Sequence, residues 1–156
     1  MFRLLPLVLM FAVQALADDL PIQLGAIPTQ ATAWQVTSAD LDADGVPELL
    51  YAGYDGELYC LDGATSAVRW QADIGGFCFC LTTADLDGDG RPEVLATSAS
   101  LLLYVFSPDG EPLWTFGVDA PLHAVAAGEL LDGGGVQVVC GGHDMRICFL
   151  DIEGAL

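Results

Sequence analysis

Ala39-Asp40-Leu41-Asp42-Ala43-Asp44-Gly45-Val46-Pro47-Glu48-Leu49-Leu50 returns 45 residues later as Ala84-Asp85-Leu86-Asp87-Gly88-Asp89-Gly90-Arg91-Pro92-Glu93-Val94-Leu95. Each copy carries carboxylates at loop positions 1, 3, 5 and 9 and glycine at position 6. Alternating aspartates can turn their oxygens inward as a loop curls. A hard cation such as calcium takes about six to eight oxygens, mainly from carboxylates and carbonyls. Gly45 and Gly90 can make the sharp turn that a side chain would hinder. The pattern therefore predicts two calcium ions. One is held by Asp40, Asp42, Asp44, Glu48 and the carbonyl of Val46; the other by Asp85, Asp87, Asp89, Glu93 and the carbonyl of Arg91.

Asp and Gly also favour plain surface turns. Duplication with Glu at the same position argues for a metal loop over a turn. An EF-hand would need glutamate at position 12, where this chain has Tyr51 and Ala96. The flanks are apolar and β-branched rather than helical in period.

Outward from the loops, each copy continues in the same way. Pro47–Tyr54 reads as a strand, Asp55-Gly56 as a two-residue hairpin turn, and Gly56–Asp62 as the returning strand. A further strand carries Val68 and Trp70, and Gly75-Gly76 ends the unit. The second unit repeats this as Pro92–Ala99, Leu101–Ser107 and Pro112–Val118, with Trp114 a step of 44 from Trp70. The recurring tryptophan is expected in the core between neighbouring units. A third unit begins at Leu122. Glu129 and Gln137 stand where Asp85 and Glu93 would, but Leu131 and Gly133 replace the middle aspartates, so no ion is expected there.

Four short strands per period of about 45 residues is the pattern of a β-propeller blade. The predicted fold is all-β. Its units are blade 1 at 33–76, blade 2 at 77–121 and a partial blade 3 at 122–156 that lacks its outer strand. The segment 18–32 precedes them, and Pro21–Ala26 aligns with the outer strand of a blade. A closed ring of about four to eight blades would need roughly 180 to 360 residues at this period. The chain is thus expected to form an open arc that is completed by further blades or by another chain.

Residues 1–17 read as a secretory signal. Arg3 is followed by an apolar run from Leu4 to Val13, and Ala15-Leu16-Ala17 fits the cleavage pattern. The run is shorter than the ~20 residues of a membrane-spanning helix. The expectation is export to the periplasm, cell surface or medium, with Asp18 as the mature N-terminus.

The formal net charge of −18, with no lysine, excludes nucleic acid as a natural partner, because phosphate binding needs Lys and Arg. The two loops contribute eight of the negative charges, and two calcium ions would offset four of them. The five cysteines are odd in number, and none has zinc spacing. Cys78 and Cys80, two apart in a strand, are expected on one face. Cys140 and Cys148 are expected on neighbouring strands with opposite facing. His123 and His143 are expected apart, His143 at a hairpin turn. Ser98 and Ser100 have no paired base, and Gly133-Gly134-Gly135 is a turn rather than a phosphate loop.

The two acidic loops and their flanks, over roughly residues 33–151, resemble FG-GAP and VCBS-type repeats of secreted and cell-surface β-propellers, including those of integrin α subunits. The resemblance implies a calcium loop between the first strands of each blade. Asp55-Gly56-Glu57-Leu58-Tyr59-Cys60-Leu61-Asp62, followed by Thr65 and Trp70, is similar to quinoprotein-type (PQQ-like) repeats, with Ser66 in place of the usual glycine. The quinone-dependent dehydrogenases of that class carry adjacent cysteines, whereas Cys78-Phe79-Cys80 are not adjacent, and no cofactor residue is assigned. Together these features lead to a non-enzymatic, calcium-stabilised scaffold for a protein or glycan ligand. The alternative is part of a secreted propeller enzyme, either quinoprotein dehydrogenase-like or polysaccharide lyase-like.

Overall fold

The computed structural model describes residues 26–131 and 135–156. The signal sequence, most of Pro21–Ala26, and residues 132–134 lie outside the described residues. Among the described residues, eleven strands form three antiparallel sheets. The first has the order β1 (Ala33–Ala39), β2 (Glu48–Gly53), β3 (Glu57–Leu61), β4 (Val68–Asp73). The second repeats it as β5 (Cys78–Ala84), β6 (Glu93–Ser98), β7 (Leu102–Phe106), β8 (Pro112–Gly117). The third holds β9 (Leu122–Gly128), β10 (Gln137–Gly142) and β11 (Ile147–Leu150). The sheets form an unclosed arc of propeller blades, with β1, β5 and β9 as neighbouring inner strands.

The core lies between blades. Leu50, Ala52, Leu58 and Cys60 of blade 1 meet Cys78, Val94, Ala96 and Phe106 of blade 2. Leu95, Leu103 and Val105 of blade 2 meet Leu122, Val138, Cys140 and Leu150 of blade 3. A sheet buried on both faces explains the near-continuous apolar strands, such as the fully buried Glu93–Ser98. The face of blade 3 that would meet a next blade is open. Ile147 is 70% exposed, and Leu130 and Phe149 are also exposed, while their counterparts one repeat earlier, Leu103, Leu86 and Val105, are buried.

Trp70 and Trp114 each tie their blade to the next. Trp70 Nε1 donates to Pro108 O at 3.1 Å, and Trp114 Nε1 donates to Ile152 O at 2.8 Å. The two rings lie over Gly110 and Gly154, both at positive φ, where an added Cβ would come within 2.6 and 2.7 Å of the indole. Ser66 takes the equivalent place in blade 1 at φ 61°. It keeps the left-handed backbone with a side chain.

Two expectations for the cysteines are corrected. Cys78 and Cys80 do not share a face. The register runs Cys78↔Ser98 and then Cys80↔Thr97, so Phe79 is an inserted bulge residue. The bulge turns Cys78 into the blade 1–blade 2 core and Cys80 into the blade 2–blade 3 core. Cys140 and Cys148 do not face oppositely, for they are direct register partners of β10 and β11, and directly opposed residues share a face.

Candidate metal centre

Each acidic loop begins where an inner strand ends, Asp40 after β1 and Asp85 after β5. In the first loop, Asp40 Oδ1 and Oδ2 accept from the N–H groups of Asp44 (3.1 Å) and Gly45 (2.9 Å). Asp42 Oδ1 accepts from Asp44 N–H, and Asp44 Oδ1 from Val46 N–H at 2.7 Å. The second loop is built alike. Asp85 accepts from Gly88 and Gly90, Asp87 from Asp89, and Asp89 from Arg91. Gly45 and Gly90 have φ of 88° and 89°. The curl that the glycines permit is therefore the same in both blades.

The carboxylates that converge differ between the loops. Asp40, Asp42 and Glu48 bring one oxygen each within 4.8 Å of one another in the first, and Asp85, Asp87 and Asp89 do so in the second. Glu48 and Glu93 are buried, and each commits an oxygen to the backbone. Leu41 N–H donates to Glu48 Oε2 at 2.9 Å, and Leu86 N–H to Glu93 Oε2 at 2.8 Å. Gln137 performs the same task in blade 3, its Oε1 accepting from Leu130 and Leu131 N–H while its Nε2 donates to Gly135 O. Position 9 thus closes the loop whether or not it bears a charge.

The contacts that two arginine side chains make at these loops were not legible in the sequence. Arg69 Nη1 lies 2.7 Å from Asp42 Oδ2 and 2.9 Å from Glu48 Oε1. It is the bulge residue of β4, between Cys60↔Trp70 and Leu61↔Val68. Its hydrogen bond to Asp42 is the main reason that the Asp42 carboxyl sits below the usual aspartate range. The same place on the β8 bulge is Leu113, which brings no charge to the second loop. A cavity of about 340 Å³ opens there, lined by Asp87, Glu93, Leu113 and Trp114. Burial is the main cause that raises the Glu93 carboxyl above the usual glutamate range. Arg91 instead links the blades, donating from Nε to Leu41 O at 2.9 Å and from Nη2 to Asp109 Oδ1 at 2.9 Å.

The histidines, expected apart, are together. The rings of His123 and His143 stack with centroids 4.3 Å apart. Among the described residues, no helix is long and apolar enough to cross a membrane.

Similarity to solved structures shows the fold. The chain superposes on BBS1N from its complexes with ARL6DN at TM-scores of 0.63 and 0.64. The identities are 16% and 15%, with 80% and 81% of this chain covered. It spans only 42% and 43% of those chains. The V. cholerae biofilm matrix protein Bap1 matches at a TM-score of 0.40 and 18% identity, over 77% of this chain and 27% of that one. No curated protein matches the sequence. The model of the lambda-carrageenase β-propeller domain matches residues 63–156, more than half of the chain, and the chain belongs to that β-propeller family.

Proposed function

We propose that the chain is an exported, calcium-stabilised segment of a β-propeller that acts as a non-enzymatic binding scaffold. The calcium reading rests on one observation. Two blades present, at the end of equivalent inner strands, loops with matched glycine geometry and three carboxylate oxygens within 4.8 Å of one another. Like charges brought together repel; Arg69 offsets part of this in the first loop, and a divalent ion that binds the folded loops alone would stabilise the fold further in both. Asp40, Asp42 and Glu48 would hold one ion and Asp85, Asp87 and Asp89 the other. Asp44 and Glu93 are near enough in sequence to complete the shells. The resemblance of both loops to FG-GAP and VCBS-type calcium repeats supports the same assignment. The scaffold reading is supported by the exposed apolar face of blade 3 and by the exposed aromatic residues at the opposite end of the inner strands.

Isothermal titration of the metal-free chain with calcium tests the proposal. The expected result is two ions per chain, with affinity on the order of 10⁻⁴ M or tighter, as in extracellular modules. Asp87→Ala should remove one site and leave the other. A folded sample that takes up no calcium would overturn the metal assignment.

The family match favours a second reading, in which the segment is the scaffold of a polysaccharide-degrading enzyme. Release of reducing ends from lambda-carrageenan by the purified chain would replace the non-enzymatic reading with this one.

A further inference from the structure

The inner strands carry a second repeated irregularity at the end away from the acidic loops. In β1 the register steps from Ala33↔Gly53 to Gln35↔Ala52, which leaves Trp34 as an inserted residue. In β5 the inserted residue is Phe79, and in β9 it is His123, between Leu122↔Gly142 and Ala124↔Gly141. Three equivalent bulges thus each lift one flat ring out of the ladder, and bulges re-aim side chains in this way. With Tyr54, Phe77 and His143 these rings form an unbroken row across all three blades. Centroid separations are 5.7 Å for Trp34–Tyr54, 4.8 Å for Tyr54–Phe77 and 5.2 Å for Phe77–Phe79. They are 4.2 Å for Phe79–His123 and 4.3 Å for His123–His143. Packing explains the middle of the row but not its start, where Trp34 and Tyr54 are 54% and 57% exposed. His123 Nε2, at the far end, is shielded from solvent without a hydrogen-bond partner.

The charge beside the row is negative. Asp55 follows Tyr54 in the β2–β3 turn, and Glu57 and Asp73 are direct register partners of β3 and β4 at the same end. Like charges placed directly opposite destabilise a sheet. The Glu57 carboxyl is accordingly raised above its usual range, by burial first and then by Asp73 and Asp55. Asp119 and Asp144 flank the blade 3 end, with Arg146 beside them. Asp55 accepts from Glu57 N–H and Tyr59 OH, and Asp73 from Gly75 N–H. Among the described residues, however, none of the Asp55, Glu57 and Asp73 carboxylates is ion-paired, so an anionic occupant would be repelled and a purely apolar one would leave them without a counter-charge. A guanidinium answers both features, because it stacks on Trp and Tyr faces and pairs with carboxylates.

We propose that the aromatic row is a docking surface for a basic, arginine-bearing protein segment, seated over Trp34 and Tyr54 beside Asp55, Glu57 and Asp73. This rests on the scaffold reading above and specifies its partner. Such a segment uses aromatic and arginine anchors, the residue types that dominate binding energy at interfaces, and the chain's negative field speeds its approach.

The test is binding of a fluorescent hexa-arginine peptide to the full chain with calcium present, at near-physiological salt. Cellohexaose serves as the neutral carbohydrate comparison. Hexa-arginine is expected to bind, and Trp34→Ala should weaken it about tenfold, the loss of one good cation–π anchor. Trp34→Phe should retain most of the affinity. Tyr54→Ser, at an exposed turn, gives a second variant that does not depend on Trp34 packing. Equal affinity of the wild type, Trp34→Ala and Tyr54→Ser would reduce the interaction to net charge and overturn the proposal. Binding of cellohexaose without hexa-arginine would overturn it in favour of a glycan surface. Calcium uptake is measured on the same samples, so loss of the peptide site with intact calcium binding rejects the row and not the metal assignment.

Discussion

Arg69 places its Nη1 2.9 Å from Oε1 of Glu48, a carboxylate that is almost wholly buried. A guanidinium from β4 therefore pairs with carboxylates of the first acidic loop, whereas the second has Leu113 at the matching bulge and the guanidinium of its own Arg91 turns away to Leu41 O and Asp109. A buried carboxylate left without its partner costs about 1–3 kcal/mol. Arg69→Gln should accordingly lower the stability of the metal-free chain by about that amount. It should also tighten calcium at the first loop, because the guanidinium no longer competes for Asp42 and Glu48. Titration calorimetry of the variant beside Asp87→Ala, which isolates the first loop, checks the effect. Unchanged or weaker affinity at that loop would refute the competition.

One carboxyl of each loop is shifted in the metal-free protein, Asp42 downward and Glu93 upward. Asp42 is held down, chiefly by Arg69, so its contribution to stability is present above the ordinary aspartate value and is lost as the pH falls through its lower folded value. Glu93 is pushed up, chiefly by burial, so its ionisation costs stability as the pH rises from the ordinary glutamate value through its folded value. NMR titration of side-chain carboxyl carbons should find Asp42 below 3.8 and Glu93 above 4.5. Calcium should remove the Glu93 penalty.

Gly110 and Trp70 form one joint between blades 1 and 2. Gly110→Ala would place a methyl against the indole at a backbone angle that alanine resists, and overpacking of this kind costs about 1–3 kcal/mol. Trp70→Phe keeps most of the ring but gives up the bond to Pro108 O, a loss of about 1 kcal/mol beyond the packing change. Ser66→Ala, at the same repeat position with φ 61°, should be nearly neutral. Denaturant unfolding of the three variants checks the ranking, and equal effects at Gly110 and Ser66 would contradict it.

Burial pushes the thiols of Cys60, Cys78 and Cys140 up to about 12. The thiolate is the reactive form, so these three should resist iodoacetamide at pH 8 in the folded chain and react after denaturation. Mass spectrometry of alkylated peptides measures this. Rapid labelling of Cys78 in the native state would show that the blade 1–blade 2 core opens.

The exposed face of blade 3 repeats residues that are buried in the other two blades. Ile147→Lys should therefore leave the unfolding of the chain within about 0.5 kcal/mol of the wild type, as surface substitutions do. It should also reduce self-association seen by light scattering. Leu103→Lys, at the buried equivalent position, should prevent folding.

Much of this fold can be read from spacing. The 45-residue step between Asp40 and Asp85, the hairpin at Asp55-Gly56 and the 44-residue step from Trp70 to Trp114 each report a local preference that recurs once per blade. The position of Gln137 at the place of Glu48 and Glu93 was readable too, because the loop closes through the same backbone N–H in all three blades. The facing of Cys78 and Cys80 was not readable, since alternation along a strand fails at a bulge and the bulge at Phe79 carries no signature beyond the residue itself, while that of Cys140 and Cys148 depends on the register of the β10–β11 hairpin. The roles of Arg69 and Arg91 were hidden for a related reason. Arg69 reaches a loop 27 residues away in sequence, and Arg91 reaches Leu41 O across 50.

The blade period, the turn chemistry, the acidic composition of two loops and the loss of charge in the third could all be read from the chain, because these depend on residue type at short separation. The three-dimensional arrangement settled which carboxylates converge, that Arg69 of β4 reaches into the first loop, and that Trp34, Phe79 and His123 line up with their neighbours in a single row. Those outcomes depend on where one inserted residue shifts a ladder and on which side chains the curvature of the arc brings together. Neither is encoded in any one repeat.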